Sequence, residues 1–390
     1  MKMNYWAVVT SICLLMGVGC QYRSDSNAAT VGSSVPVDSY TANEASQDST
    51  SSTESSNSGR GITLPIQNAE QLKNMLELDD KMVFLTLPGR DDLSNNSFEL
   101  KSYDIHSGSL LYSINQNNYL EYGNLLRIDK ASDIEGYDYR MMFEKAVVYQ
   151  DSNDITQEKE KIYRLPNVQP IFLGGLRGFG NYDINKAQIV YTTEAGVWLA
   201  NRDGSNNKLI IESSQLPKMF PGVPDGVFAN PRFMDSGTKI CIGIFQTLSF
   251  EFTGAITYDV QKSQVEYKMD VVLPTNVVYP VEDQYIVGRA WSMGGEFQVL
   301  DITNGKIENY TSNREGYPLF ASHDYKTLVV AKYDDYPDGM KAFVCKAEEP
   351  DDETNPLLFG QENEVLRLSN ISEHYVAFSS DNHIVLMKYR

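Results

Sequence analysis

The sequence predicts an all-β domain of repeated four-stranded units closed into a ring, a β-propeller of about seven blades, with six and eight as the neighbouring counts. Three observations predict it. Apolar and aromatic residues fall in short alternating runs, with 24 Tyr against 3 Trp in a chain that is 42% apolar, a composition that suits many half-buried strand positions. A hairpin phrase recurs with one turn chemistry. A second phrase, marked by Pro231, Pro280 and Pro318, recurs at steps of 49 and 38 residues. A period in the forties with four short strands per unit is that of a propeller blade.

Before the repeats come two segments of different character. Lys2 precedes an apolar run, Trp6 to Met16, that is too short to span a bilayer and has the form of a secretory h-region. It leads to Gly17-Val18-Gly19-Cys20, which resembles the lipobox of bacterial lipoproteins. The resemblance implies a signal peptide over residues 1–19, a lipid on Cys20, and a protein held at the cell membrane or outer membrane, facing outside the cytoplasm. Gly17 stands where that family prefers Leu, so plain secretory cleavage and an uncleaved anchor are the alternatives. Gln21 does not match the Asp that keeps some bacterial lipoproteins on the inner membrane. Residues 20–60 then read as the lipidated cysteine and a disordered linker rich in Ser, Thr and Asn, with almost nothing apolar to bury. Forty such residues have a root-mean-square span of about 35 Å.

The propeller is expected over residues 61–390. Its one helical candidate is Ala69 to Leu76, with Asn68 as N-cap and Leu72, Met75 and Leu76 as an apolar face. The hairpin phrase appears as Tyr103-Asp104-Ile105-His106-Ser107-Gly108-Ser109-Leu110, again from Tyr258 to Val265 and from Leu300 to Ile307, with a longer relative from Asn201 to Leu209. Its Asp accepts from backbone N–H groups across the turn, and Gly supplies the left-handed backbone that a hairpin bulge needs. The second phrase is Pro-x-Phe, a short link with Asp, then a strand, as in Pro231 to Ile240 and Pro318 to Val329. Ile62 to Ile66 is placed to pair outside the terminal run Ile384 to Tyr389 and so close the ring. Phrases such as Ile189 to Gly204 and Tyr375 to Asp381 resemble the blades of TolB-like and Trp-Asp-repeat-like bacterial β-propellers, well over 180–390 and poorly over 80–170. That resemblance implies a fold and is close to silent on activity.

A net charge of −19 argues against nucleic acid as a partner and against an anionic membrane surface, leaving the Cys20 lipid as the membrane contact. No metal-ligand spacing joins His106, His323, His374 and His383, and they read as turn or strand-surface residues. Cys241 and Cys345 sit in apolar strand patterns and read as small buried hydrophobes rather than a disulfide. The acidic clusters at Asp91-Asp92, Asp334 to Asp338 and Asp351 to Glu353 read as solvated loops. Trp198 and Trp291 read as packing residues. No nucleophile elbow, metal set or cofactor fingerprint is found. The glycine-rich stretch 174–180 is a loop between blades that displays Arg177 and Phe179. With Tyr333 and Tyr336 these are the candidate partner-binding residues. The function read from this is a membrane-anchored, extracytoplasmic binding or scaffolding propeller for an envelope protein or wall polysaccharide. The rival is a channel-mouth hydrolase or lyase using carboxylates.

Overall fold

The computed structural model describes residues 61–390, apart from 68, 88–97, 116–118, 167–180, 250, 276, 290–296, 311–318, 323–325, 334–339, 347–348, 350–352, 360–365 and 381. The signal-peptide, Cys20 and linker readings therefore lie outside the described residues. So do Asn68, Arg177, Phe179, Trp291, His323 and Tyr336.

β1 (Gly61–Leu64) comes first. Blade 1 is β2 (Leu72–Leu78), β3 (Lys81–Thr86), β4 (Glu99–Asp104) and β5 (Leu110–Asn115). Blade 2 is β6 (Leu125–Lys130), β7 (Tyr139–Phe143), β8 (Ala146–Gln150) and β9 (Glu160–Arg164). Blade 3 is β10 (Tyr182–Ile184), β11 (Gln188–Thr193), β12 (Gly196–Asn201) and β13 (Lys208–Glu212). Blade 4 is β14 (Gly226–Phe233), β15 (Lys239–Gln246), β16 (Glu251–Asp259) and β17 (Gln264–Thr275). Blade 5 is β18 (Val277–Val281), β19 (Tyr285–Arg289), β20 (Phe297–Asp301) and β21 (Lys306–Tyr310). Blade 6 is β22 (Leu319–Ala321), β23 (Thr327–Tyr333), β24 (Met340–Lys346) and β25 (Pro356–Phe359). Blade 7 is β26 (Arg367–Ile371), β27 (Tyr375–Ser379) and β28 (Ile384–Lys388), with β1 as its outermost strand. The expected seven-bladed all-β ring is the observed one, and residues 80–170, where the sequence resemblance is poor, form most of two ordinary blades.

Closure follows the expected route. β1 pairs antiparallel with β28, Gly61 opposite Met387 and Leu64 opposite Ile384. The first strands of neighbouring blades also meet, including β2 with β26, so they line the ring axis. The apolar residues have no single centre to bury against. They form seven clusters among the described residues, one in each gap between neighbouring sheets. A second or third strand such as β8 is consequently buried on both faces, and reads as a continuous apolar run.

The helix expected from Ala69 to Leu76 is replaced by a single 3-10 turn, Ala69–Gln71, leading directly into β2. A bulge between Leu72 and Asn74 interrupts the alternation, and the strand buries Met75 and Leu78. Three-residue spacing at a bulged strand imitates a helical face.

Antiparallel neighbours put the connections on alternating faces of the ring. Those joining first to second and third to fourth strands share one face, here the turn face. Those joining second to third strands and blade to blade share the other, the loop face. The expected hairpin turns fall on the turn face: Gly108, Ser263 and Gly305 have φ of +69°, +55° and +73°. In each, the preceding Asp closes the turn. Asp104 Oδ1 accepts from the backbone N–H of Ser107 at 2.6 Å, Asp259 Oδ1 from Lys262 at 2.7 Å and Asp301 Oδ1 from Thr303 at 2.8 Å. The described chain begins at Gly61 and ends at Arg390 on this same face.

Candidate functional site

The most unusual chemistry lies where the first strands of blades 2, 3 and 4 converge on the axis. β6 presents Arg127 and Asp129 at alternate positions, so both point to one side of the strand, toward blade 3. Arg127 Nε donates to Asp129 Oδ2 at 2.6 Å, and its Nη2 to Asp183 Oδ1 on β10 at 2.7 Å. Arg127 and Asp183 keep only 6% and 7% side-chain exposure. The other oxygen of Asp183 accepts the backbone N–H of Phe233 on β14 at 2.9 Å. One carboxylate thus ties three consecutive blades.

A second ring of charges surrounds this one. Arg140 on β7 lies 3.5 Å from Asp183, 3.7 Å from Asp129 and 3.0 Å from Asp133, and donates to the Ile184 carbonyl at 2.8 Å. Arg202, from the last turn of blade 3, reaches Asp133 Oδ2 at 3.1 Å and the Tyr149 hydroxyl at 2.7 Å. Smaller polar links continue along the inner strands. Asn74 of blade 1 donates to Ile128 of blade 2 at 3.1 Å, and Asn230 of blade 4 to Val278 of blade 5 at 2.9 Å. Glu77 of blade 1 accepts from Ser372 and from the His374 backbone of blade 7.

Arg232 completes the group. A bulge interrupts β14 between Ala229 and Arg232, with Asn230 in the left-handed region at φ +47°. A bulge of this kind bends the strand and re-aims the side chains beyond it. Arg232 Nη1 stands 4.0 Å from Asp129 Oδ2, a residue two blades away. Side chains of blades 2 and 4 meet only by crossing the inner edge of blade 3, so this pair lies on the axis itself. Their side chains keep 22% and 29% exposure, against 6% and 7% for Arg127 and Asp183.

The protonation states are set by these neighbours. Burial alone would raise the Asp129 carboxyl, but Arg127, Arg140 and Arg232 outweigh it and hold it at about 2. Burial and then the like charge of Arg127 pull the Arg232 guanidinium down to about 10, against Asp129 and Asp183. Arg140 is held above its ordinary value because Asp183, Asp129 and Asp133 overcome its desolvation. Asp129 is therefore charged at any physiological pH and offers no proton to a leaving group. Among the described residues, the one carboxyl raised mainly by burial, Glu160, stands apart on β9, bonded to Tyr119.

The residues singled out in the sequence fare differently. Tyr333 ends β23 opposite Met340, and the strand ends flanking the segment with Arg177 and Phe179, Arg164 and Tyr182, lie on the loop face as Tyr333 and Met340 do. His106 sits in a turn with Nε2 3.2 Å from Asp80, His374 contacts Glu77 at 2.8 Å and His383 the Ser380 hydroxyl at 2.7 Å. Trp198 stacks on Tyr191 at 6.2 Å. Cys241 and Cys345 are buried cysteines, and burial pushes the Cys241 thiol up to about 12. Among the described residues no three His, Cys, Asp or Glu side chains stand where they could share a metal ion. Sequence reasoning misses the axial group, although a signal exists: Arg127-Ile128-Asp129, Asp183 between Tyr182 and Ile184, and Arg232 between Pro231 and Phe233 are charges set inside apolar first strands.

No family model matches the chain, and no curated protein matches it. Among solved structures, the β-propeller domain of Cps50 (Swd1) from Myceliophteria thermophila aligns over 85% of this chain and all of that one, with a TM-score of 0.51 at 9% identity. At that identity the likeness is one of fold.

Proposed function

We propose that the chain is a binding or scaffolding propeller, anchored through Cys20 on the outer side of a membrane, that holds an envelope protein or wall polysaccharide on its loop face. The observation that carries this reading is the difference between the faces. The strand ends that bound the three longest sequence intervals between strands, Thr86 and Glu99, Arg164 and Tyr182, Glu212 and Gly226, all lie on the loop face, and long intervals on a rigid scaffold are where binding residues concentrate. The two most exposed large apolar residues among those described, Leu248 at 77% and Leu120 at 65%, fall there too. Tyr333 ends β23 on the same side.

The test is site-specific photocrosslinking in intact cells. A crosslinker at Leu248, Leu120 or Phe179 should capture one specific envelope component, while one at Asp203 or Asn304 on the turn face should not. Equal capture from both faces defeats the reading. Metabolic labelling with a fatty acid tests the anchor: a Cys20→Ala chain labelled as strongly as wild type ends the lipoprotein assignment.

A further inference from the structure

The axial group is unbalanced. Four guanidiniums, those of Arg127, Arg140, Arg202 and Arg232, stand against three carboxylates, Asp129, Asp133 and Asp183, with Asp133 shared between Arg140 and Arg202. One enclosed positive charge has no partner of its own among the described residues. Enclosed charges are costly unless compensated, and this protein as a whole carries −19, so the excess cation is a local exception to its overall charge.

The imbalance falls on Arg232. Asp129 already receives Arg127 at 2.6 Å, which leaves Arg232 at 4.0 Å, with its Nε on Asn230 Oδ1 at 3.2 Å. Behind it, Arg127 Nη1 is buried and has no hydrogen-bond partner. Arg232 is also the member that a bulge and a left-handed Asn230 turn toward the axis. Local strain of that kind persists where the surroundings over-determine it, and it clusters at ligand sites.

We propose that Arg232, backed by Arg127, forms a carboxylate-binding site in the axial opening, where the guanidinium fork takes one singly charged carboxylate of a ligand. A planar fork matches a carboxylate through two parallel N–H···O bonds. The excess is a single charge, and Asp129 and Asp183 repel a second negative charge, so a monoanion fits and a phosphate dianion does not. This site stands apart from the loop face and does not depend on what that face binds. The guanidinium is protonated through neutral pH, so binding is flat there.

The experiment uses the full chain with arginine side chains labelled for NMR. Sodium acetate, titrated against sodium chloride at constant ionic strength, should produce a saturable shift of one Nε–Hε resonance, identified as Arg232 by its loss in Arg232→Lys. Inorganic phosphate should not reproduce it. Acetate should raise the melting temperature of wild type above that in chloride, and Arg232→Gln should lose that increment. The proposal is overturned if the acetate shift does not saturate, if chloride or phosphate produces it equally, or if Arg232→Gln keeps the increment. The wild-type titration decides the matter alone should the variant fail to fold.

Discussion

The two faces of the ring are built from the same strands and differ in how their connections are held. On the turn face, Asp104, Asp203, Asp259 and Asp301 each accept backbone N–H groups within their own turn, and Asn185 does the same in a first-to-second turn. The charged axial group adds links between blades, and Ser236 of blade 4 donates to Asp283 of blade 5 at 2.9 Å. On the loop face Asp225 accepts the Leu248 N–H at 2.8 Å, so bonded connections occur there too, but the strand ends bounding the three longest intervals lie on that face and Leu248 and Leu120 stand in solvent. The repeated Asp-bonded hairpin turns belong to one face and the most exposed apolar side chains to the other. Short bonded turns fix each hairpin's register.

The contrast is most severely tested where the ring is sealed. Deleting Ile384 to Arg390 removes β28, strands β1 and leaves an unpaired edge, and should destabilise the domain by several kcal/mol with aggregation. A truncated chain that melts within a degree or two of wild type would mean that β28 does not close the ring. Next comes Asp183→Asn, which leaves Arg127 and Arg140 short of a buried partner and releases the Phe233 N–H from a charged acceptor. Its cost should be about 3 kcal/mol, measured by denaturant unfolding. A loss below about 0.5 kcal/mol, the range of ordinary surface substitutions, would show that the three-blade link is not a stability element.

A smaller effect belongs to pH. The Asp129 carboxyl is lowered in the folded chain to about 2, from an ordinary value near 3.9. Its contribution is therefore present above about pH 4 and is lost as the pH falls toward 2. Asp129→Asn should flatten the acid limb of the stability profile over that interval and leave its slope near neutrality unchanged. A profile identical to wild type between pH 4 and 2 would contradict the assigned ion pairs. The least change in stability is expected on the loop face. Leu248→Asp should alter unfolding by less than about 0.5 kcal/mol, yet reduce partner capture. If it destabilises the domain instead, that face is not the permissive one.

Much of this architecture is legible in the sequence because it rests on local chemistry. The Asp-to-Gly hairpin phrase specifies a turn wherever it occurs, and Gly108, Ser263 and Gly305 all adopt the conformation it requires. The pairing of an N-terminal run with the C-terminal strand, expected for Ile62 to Ile66 and observed for Gly61–Leu64, is legible because both are short alternating runs at the ends of a ring. The segment from Ala69 to Leu76 passes for a helix because a bulge gives a strand the spacing of one. The axial group is hidden for a different reason. Arg127, Asp183 and Arg232 lie in three separate repeats, and only closure of the ring brings them within hydrogen-bond reach. Residues such as Arg177 and Phe179, read from their loop composition, lie outside the described residues.

The pairing of β1 with β28 also sets a timetable. The first strand of the domain to leave the ribosome is hydrogen-bonded to the last, Gly61 to Met387, so the contact of greatest sequence separation is the one that completes blade 7. Such a contact forms late, because the loop entropy for almost the whole domain is lost before any bond rewards it. Through all of synthesis β1 remains an unpaired strand in need of protection, and an interrupted chain never acquires its partner. Completeness of the polypeptide is therefore what ends its exposure to chaperones and proteases.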